Sequence, residues 1–109
     1  MEMAEASGVA LQLDLSNIPF ISGARKYAEM GAFAGGAFDN KKHFESKVKF
    51  AYSIDEANQM LLFDPQTSGG LLLGVPRDDL DSFLARADEM DQAVWVIGRV
   101  EAGTGIEIR

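Results

Sequence analysis

The chain has 109 residues, 47% of them hydrophobic and 25% charged, so it fits one globular domain with a modest core. It contains no cysteine, which excludes disulfides, thiolate nucleophiles and cysteine-based metal sites, and its net charge of −7 argues against nonspecific binding to nucleic acid or anionic membranes. No apolar run reaches membrane-spanning length and no leader-like pattern opens the chain, so we expect a soluble, unexported protein.

The first thirty residues predict a helix, a strand and a second helix. Residues 1–7 are good helix formers followed by Gly8, a typical C-cap. They have no N-cap, so we interpret them as the end of a helix that starts before residue 1. Residues 9–15 alternate apolar and polar side chains, as a half-buried strand does. A short helix is expected over residues 22–30, capped by Ser22.

A glycine-rich stretch without clear periodicity follows at residues 31–42 and predicts a long loop. Gly35 and Gly36 allow close approach of another backbone or a ligand, and Asn40 adds a side-chain amide. The stretch matches neither a P-loop nor a dinucleotide-binding fingerprint. A flexible surface loop and a ligand-binding loop both stay open.

Residues 54–62 predict a helix, with a capping box formed by Ser53 and Glu56. The preceding residues 43–52 alternate only weakly and fit a strand or an irregular segment. Residues 71–75 are apolar throughout and predict a strand buried on both faces.

The last third predicts one helix and two strands. Pro76 opens the clearest helix of the sequence, whose first turn holds aspartates that complement the helix dipole. Residues 93–98 predict a strand with Trp95 in the core. The alternation of Ile106 and Ile108 predicts a short final strand.

The stretch that joins two of these apolar runs is residues 64–70, Asp-Pro-Gln-Thr-Ser-Gly-Gly. The hydroxyls of Thr67 and Ser68, beside the accessible amides of two glycines, suit an anion such as phosphate. A tight turn in which Asp64 and Ser68 bond the local backbone is the alternative, and local chemistry alone favours it.

Other polar or aromatic residues give no sign of catalysis. His43 is the only histidine, so a surface or packing role is expected for it. Asp64 is a single carboxylate and does not make a magnesium site. The sequence predicts no metal site.

Two stretches resemble a known family. Residues 61–73, Leu-Leu-Phe-Asp-Pro-Gln-Thr-Ser-Gly-Gly-Leu-Leu-Leu, closely resemble a segment near the end of selenophosphate synthetases (selenide, water dikinases). Residues 31–40 are similar to the glycine–glycine–asparagine loop that precedes it there. The ends of the chain also look like the borders of that family's C-terminal domain. The resemblance thus covers residues 1–109 as a single domain of a larger enzyme whose N-terminal ATP-binding and catalytic domain is absent.

The fold implied by this resemblance is α+β. It is a three-layer α/β/α domain with a mixed sheet and a partial ferredoxin-like likeness, similar to the C-terminal domain of aminoimidazole ribonucleotide synthetase. The interleaved strands and helices predicted above fit that class.

The function implied by the resemblance is the synthesis of selenophosphate, AMP and phosphate from selenide, ATP and water, with Mg²⁺, in a cytoplasmic homodimer. The C-terminal domain would close over an active site built mostly by the N-terminal domain, its main partner. The residues implied to line the cleft are Thr67, Ser68, Gly69 and Gly70, with Gly35, Gly36 and Asn40 in a loop over it.

The catalytic cysteine or selenocysteine of that family and its magnesium-binding aspartates lie outside the matching segment. We therefore expect no catalytic residue here, no activity of the chain alone and no tight binding of ATP or Mg²⁺ to it. Ala37 stands where a threonine is common and Phe63 where a cysteine is often seen. A free-standing small-molecule-binding or interaction domain remains an alternative. A related synthetase or kinase with another substrate is disfavoured by residues 66–68.

Overall fold

Strands and helices interleave along the whole chain, which a computed structural model describes from residue 1 to residue 109. The strands are β1 (Val9–Leu13), β2 (Val48–Phe50), β3 (Gly98–Ala102) and β4 (Gly105–Ile108). The helices are α1 (Glu2–Ser7), α2 (Ala24–Glu29), α3 (Gly35–Phe44), α4 (Glu56–Leu61) and α5 (Leu80–Glu89). Three 3₁₀ turns cover Leu15–Asn17, Glu45–Lys47 and Arg77–Asp79. None of the helices combines the length and the apolar character that crossing a membrane requires.

The four strands form one mixed sheet in the order β2-β4-β1-β3. Strand β1 runs parallel to β4 and antiparallel to β3, and β2 runs parallel to β4. Leu11, at the centre of β1, lies opposite Val100 on one side and Ile106 on the other. The parallel pairs require crossover connections, which the helical segments provide. The predicted α+β class with a mixed sheet is confirmed.

Helix α1 packs on the sheet at β1 and β4. It buries Ala4 completely and ends, as predicted, at Gly8, whose φ of 64° is left-handed. A salt bridge of 2.6 Å from Lys47 Nζ to Glu5 Oε1 ties α1 to the turn before β2. The hydrogen bond from Lys47 lowers the pKa of Glu5 below its ordinary value.

Helices α2, α3 and α4 form a second group, in which α4 contacts both of the others. The N-cap of α4 is Asp55, whose Oδ1 accepts from the backbone N–H of Asn58 at 2.8 Å. The predicted capping box at Ser53 is therefore wrong by two residues. Arg25 Nη1 donates to Asn58 Oδ1 at 2.6 Å, so one side chain joins α2 to the cap of α4. The predicted cap of α2 is also wrong, because its N-cap is Gly23 without a side-chain bond.

The glycine-rich stretch predicted as a long loop is largely helix α3. Glycine disfavours a helix by about 1 kcal/mol per residue relative to alanine, so the local sequence argues against this structure. Tertiary contacts outweigh that cost: Ala37 is 1% exposed, and Lys41 Nζ pairs with Glu56 Oε1 of α4 at 3.1 Å.

Two predicted strands are wrong. Residues 71–75 form no strand, and Leu71 is 90% exposed rather than buried on both faces. Residues 93–97 also lie outside the sheet, apart from the Ile97 carbonyl, which accepts a hydrogen bond from Asp14, and the strand there begins only at Gly98. Trp95, predicted in the core, is 56% exposed. The physical reason is that neither segment has a neighbouring strand to bond with. Strand β1 ends at Leu13, opposite Gly98, and no strand of the sheet lies beside residues 71–75.

The clearest predicted helix is present, but it starts with the 3₁₀ turn and becomes α5 at Leu80. Its apolar side chains are only half-buried, and Met90 lies beyond the last helical residue at 65% exposure. The element that it contacts most is the 3₁₀ turn that precedes it, and none of its residues is buried. Helix α5 therefore adds little to the core.

Candidate functional site

The base of the Asp64–Gly70 stretch is anchored in the core by Phe63. This side chain is 6% exposed, and its ring meets the Phe50 ring of β2 at a centroid distance of 5.9 Å and an angle of 66°. The backbone N–H of Phe63 donates to the carbonyl of Met60 at 3.1 Å, which closes the last turn after α4. The stretch thus starts directly after a buried residue, at the place where α4 meets the sheet.

Helix α3 holds the beginning of the same stretch. The side-chain amide of Asn40 donates from Nδ2 to the Phe63 carbonyl at 2.9 Å. At Gly36 the helix backbone lies so close to Pro65 that a Cβ there would be 3.0 Å from the Pro65 Cγ. A side chain at this position would force the two segments apart. Of the seven predicted site residues, Gly36 and Asn40 are therefore in contact with the motif, and they position it.

The exposed part of the stretch runs from Thr67 to Gly70. The hydroxyls of Thr67 and Ser68 have no hydrogen-bond partner in the protein, and the amides of these four residues have no backbone partner. The alternative turn, in which Asp64 and Ser68 bond the local backbone, is not what forms. A row of free donors is left facing solvent.

Gly69 and Gly70 differ in their surroundings. At Gly69 a Cβ would lie 2.6 Å from Oε1 of Gln66, so the Gln66 side chain lies against this glycine. Gly70 and Gly35 have no atom within 4 Å of such a Cβ, so nothing in the chain itself requires glycine there. Any role of these two positions in binding a ligand stays a prediction.

The donor set fits a phosphate and does not fit a magnesium ion. Free amides and hydroxyls next to glycines are what anion-binding loops use. A magnesium site needs carboxylates, and no three acidic or histidine side chains lie close enough together to hold a metal. His43 is exposed and packs edge-on against Phe44 at 4.6 Å, as expected of a surface or packing residue.

Two concavities of the molecule lie elsewhere. One of about 560 Å³ is bordered by Glu5, Lys47 and Thr104, and another of about 170 Å³ runs along β1 and β4. Neither is lined by any of the seven predicted residues. The motif is an exposed loop on a packed base, and it forms at most one side of a cleft.

The sequence interpretation missed Phe63 and Pro65 as the groups that α3 holds. In the sequence, Phe63 stands out only as a departure from a cysteine, and Pro65 only as one residue of the Asp64–Gly70 stretch. The glycine pair in α3 indicates that another group comes close to this helix. The sequence does not identify that group as Pro65, because the two lie about thirty residues apart in the chain.

Comparison with known proteins gives a consistent family. Residues 1–109 match the family described as "AIR synthase related protein, C-terminal domain". The chain is 41% identical over 101 residues to a selenide, water dikinase of Caldanaerobacter subterraneus subsp. tengcongensis. It is 40% identical over 103 residues to selenide, water dikinase 2 of Peptoclostridium acidaminophilum, and 36% identical over 99 residues to the enzyme of Clostridium botulinum.

These matches cover 91–92% of the chain but only 28–29% of the relatives, so the chain spans less than a third of their length. The similarity to selenide, water dikinases expected from the two motifs is confirmed. The family match covers every residue, and the mixed sheet with its helices agrees with it. The chain belongs to the AIR synthase related protein family, as its C-terminal domain.

Proposed function

We propose that this chain is part of a longer selenophosphate-forming enzyme, and that residues 67–70 line its active-site cleft. The proposal is supported by the similarity to selenide, water dikinases over nearly the whole chain. The observation that carries the site is the row of unpartnered donors from Thr67 to Gly70, held on a base fixed by Asn40 and Phe63.

The chemical role proposed for this loop is to donate hydrogen bonds to a phosphate of the nucleotide or of the product. Its hydroxyls and amides stay free because no other group of the chain uses them. Donors that are held in place before the substrate arrives stabilise developing negative charge without reorganising. Each such donor lowers the activation free energy of the reaction substantially. The N-terminus of α3, with Gly35 and Gly36 in its first turn, adds a favourable dipole next to the loop.

The remaining catalytic groups are proposed to come from the rest of the polypeptide. The chain provides no cysteine and no cluster of carboxylates for Mg²⁺. We therefore infer that the 109-residue chain is inactive alone and binds magnesium–ATP weakly. An isothermal titration with tight magnesium–ATP binding to the chain would contradict this. The dimeric state and the cytoplasmic location implied by the resemblance stay predictions.

The site proposal is tested in the full-length enzyme with the double variant Thr67→Ala, Ser68→Ala. Loss of two hydrogen bonds to a charged phosphate should lower kcat/KM for selenide-dependent AMP formation by about 100-fold or more. The matched control is Ser53→Ala with Thr104→Ala, because both side chains are exposed and make no hydrogen bond. Unchanged kcat and KM in the first variant would remove the loop from the active site.

Asn40 is proposed to act through the loop rather than on the substrate. Asn40→Ala should lower kcat/KM and also speed exchange of the Phe63 amide, which is bonded to the Met60 carbonyl, because the Phe63 carbonyl loses its donor and the junction loosens. Thr67→Ala with Ser68→Ala should lower activity without that change in exchange. If Asn40→Ala lowers activity and leaves exchange unaltered, Asn40 is a ligand of the substrate instead.

A further inference from the structure

The side chain of Gln66 folds back onto the Asp64–Gly70 stretch. The backbone bends at Thr67 and Ser68, and this bend brings Gln66 opposite Gly69. A Cβ built on Gly69 would lie 2.6 Å from Gln66 Oε1, 3.5 Å from its Cβ and 3.7 Å from its Cδ. The Gln66 side chain therefore lies along Gly69 from its first carbon to its carboxamide, although the residue is exposed.

This contact explains why residue 69 is a glycine. Gly69 has no positive φ, so no left-handed conformation requires a glycine there. What a side chain at this position would meet is the carboxamide of Gln66. At Gly70, one residue further on, a Cβ would have no atom within 4 Å. Gly69 therefore leaves room for the Gln66 side chain and positions its carboxamide.

The carboxamide of Gln66 makes no hydrogen bond within the chain. The other three glutamines of the sequence each donate one from Nε2, namely Gln12, Gln59 and Gln92. Gln66 is thus held against the backbone by packing, while its acceptor oxygen and its N–H donors stay free for a ligand.

The residue before Gln66 is also in a packed contact. Pro65 lies against Gly36 of α3, where a Cβ would be 3.0 Å from the Pro65 Cγ. Gln66 is therefore the first residue beyond the part of the stretch that α3 holds. Its carboxamide lies beside the free donors of Thr67 to Gly70, so these groups can reach the same ligand.

A carboxamide differs chemically from the backbone amides that follow it. Those amides only donate, which suits a phosphate oxygen. The carboxamide carries an acceptor and donors on separate atoms of one planar group. It can therefore accept from the O–H of a water molecule and donate to the phosphate group that the water attacks. Glutamine side chains of some nucleotide hydrolases orient the attacking water in this way.

We propose that Gln66 is a catalytic residue that orients the water consumed in the reaction, and that Gly69 is its positioning residue. The inference rests on the proposed selenophosphate-forming function, since the relatives are named selenide, water dikinases. The family resemblance predicts no catalytic residue in this chain, and Gln66 is the exception to that expectation.

The step assigned to Gln66 is the hydrolysis that releases AMP. Conversion of ATP into AMP breaks two phosphoanhydride bonds, and one phosphoryl group goes to selenide and the other to water. In the proposed step, water attacks the β-phosphorus of the ADP left after transfer to selenide. The bond from this phosphorus to the bridging oxygen breaks, and its electron pair stays with AMP. One proton of the water remains on the orthophosphate and the other passes to solvent, so Gln66 itself neither gains nor loses a proton.

The test uses the full-length enzyme with Gln66→Met, which keeps the length of the side chain and removes its polar atoms. Single-turnover reactions with selenide and ATP are quenched in acid, so that bound and released nucleotides are both counted. Conversion of ADP into AMP should be about 100-fold slower than in the unmodified enzyme. Formation of selenophosphate and ADP should continue at a nearly unchanged rate, so ADP accumulates. Equal slowing of both steps would overturn the proposal, because Gln66 would then only help to bind the nucleotide.

The variant Gly69→Ala tests the positioning role without changing Gln66. Its added Cβ meets the end of a flexible side chain, so the loop can keep its fold while the carboxamide is displaced. ADP should accumulate as in Gln66→Met. The matched control is Gly70→Ala, where a Cβ meets no atom, and ADP should not accumulate whatever the overall rate. Accumulation in both glycine variants, or in neither, would overturn the positioning role.

Asp64 is the one carboxylate of the stretch and provides the competing explanation. Asp64→Asn keeps the size of the side chain and removes its charge. Accumulation of ADP in Asp64→Asn and not in Gln66→Met would assign the water to the carboxylate and overturn the proposal.

Failure of this proposal is distinguishable from failure of the proposed function. If the unmodified full-length protein forms no AMP from ATP and selenide, the proposed function fails and the role of Gln66 fails with it. If the unmodified protein forms AMP and Gln66→Met does so without accumulating ADP, only the role of Gln66 is rejected. Slower turnover without ADP accumulation in Thr67→Ala with Ser68→Ala would support separate roles for the phosphate donors and for Gln66.

Discussion

Strand β1 and residues 71–75 are both five-residue segments rich in apolar side chains, but only β1 is paired and buried. Strand β1 pairs with β3 on one side and β4 on the other, and its Leu11 is 5% exposed. Residues 71–75 pair with nothing, and Leu71 is 90% exposed. The hydrophobic composition of a segment therefore indicates that the segment favours burial. Whether the segment is buried depends on the strands and helices that lie next to it. In β1 those neighbours are within the chain.

The largest expected difference between the two regions is seen with Phe63→Ala and Leu71→Ala in the 109-residue chain. Removal of the buried Phe63 ring should destabilise the fold by about 3–5 kcal/mol, because it leaves a cavity against Phe50. Leu71→Ala should stay within about 0.5 kcal/mol. Urea unfolding followed by circular dichroism measures both. Similar losses for the two variants would mean that residues 71–75 are buried in solution.

The next largest effect concerns Gly98, where β3 meets β1. A Cβ there would overlap the Gln12 carbonyl oxygen and lie 2.8 Å from the Leu13 Cα, so Gly98→Ala should destabilise the sheet by about 1–3 kcal/mol or more. The matched control is Gly74→Ala in residues 71–75, where a Cβ meets no atom within 4 Å. Its stability should be unchanged within about 0.5 kcal/mol in the same unfolding experiment. An equal loss of stability in the two variants would contradict the expected difference between Gly98 and Gly74.

A smaller effect is expected at the cap of α4 and depends on pH. Hydrogen bonds from the backbone and side chain of Asn58 lower the pKa of Asp55. Because the folded-state pKa lies below the unfolded-state one, this stabilisation is present above the unfolded-state pKa and is lost as pH falls through the folded-state pKa.

The measurement for Asp55 is Tm as a function of pH between neutral and acidic solution. Asp55→Asn keeps an acceptor but does not titrate, so its Tm should fall less on acidification than that of the unmodified chain. Asp55→Ala removes the cap and should lower the Tm at neutral pH as well. Parallel curves for the Asn variant and the unmodified chain would show that this cap does not contribute to the acid sensitivity.

The smallest effect is expected for surface ion pairs. The Lys41–Glu56 pair joins α3 to α4, whereas Arg86–Glu89 lies within the loosely packed α5. A double-mutant cycle should give a coupling of about 0.5–1 kcal/mol for the first, because Lys41 is only 26% exposed. The second should give at most about 0.5 kcal/mol. A larger coupling in α5 would mean that this helix is better packed than its side-chain exposure indicates.

The fold could be predicted where local signals and tertiary structure agree. The alternation of β1 and β4, the Gly8 cap and the existence of α4 follow from spacing and from residues with specific backbone geometry. The prediction fails at α3, since contacts of Ala37 and Lys41 outweigh the weak helix propensity of glycine. It also fails at residues 71–75 and 93–97, because a strand requires a partner that no local pattern specifies.

The motif at residues 64–70 could be located from the sequence alone, because a proline, two glycines and two hydroxyl side chains between two apolar runs indicate a turn or an anion-binding loop. Its family could also be recognised from these residues. The sequence did not decide what holds the motif: the bond from Asn40 to the Phe63 carbonyl and the contact of Gly36 with Pro65 exist only because α3 and α4 pack together. Residue types determined which groups the chain can offer, and tertiary structure decided which remain free, since hydrogen bonds and packing depend on neighbours that are distant in the chain.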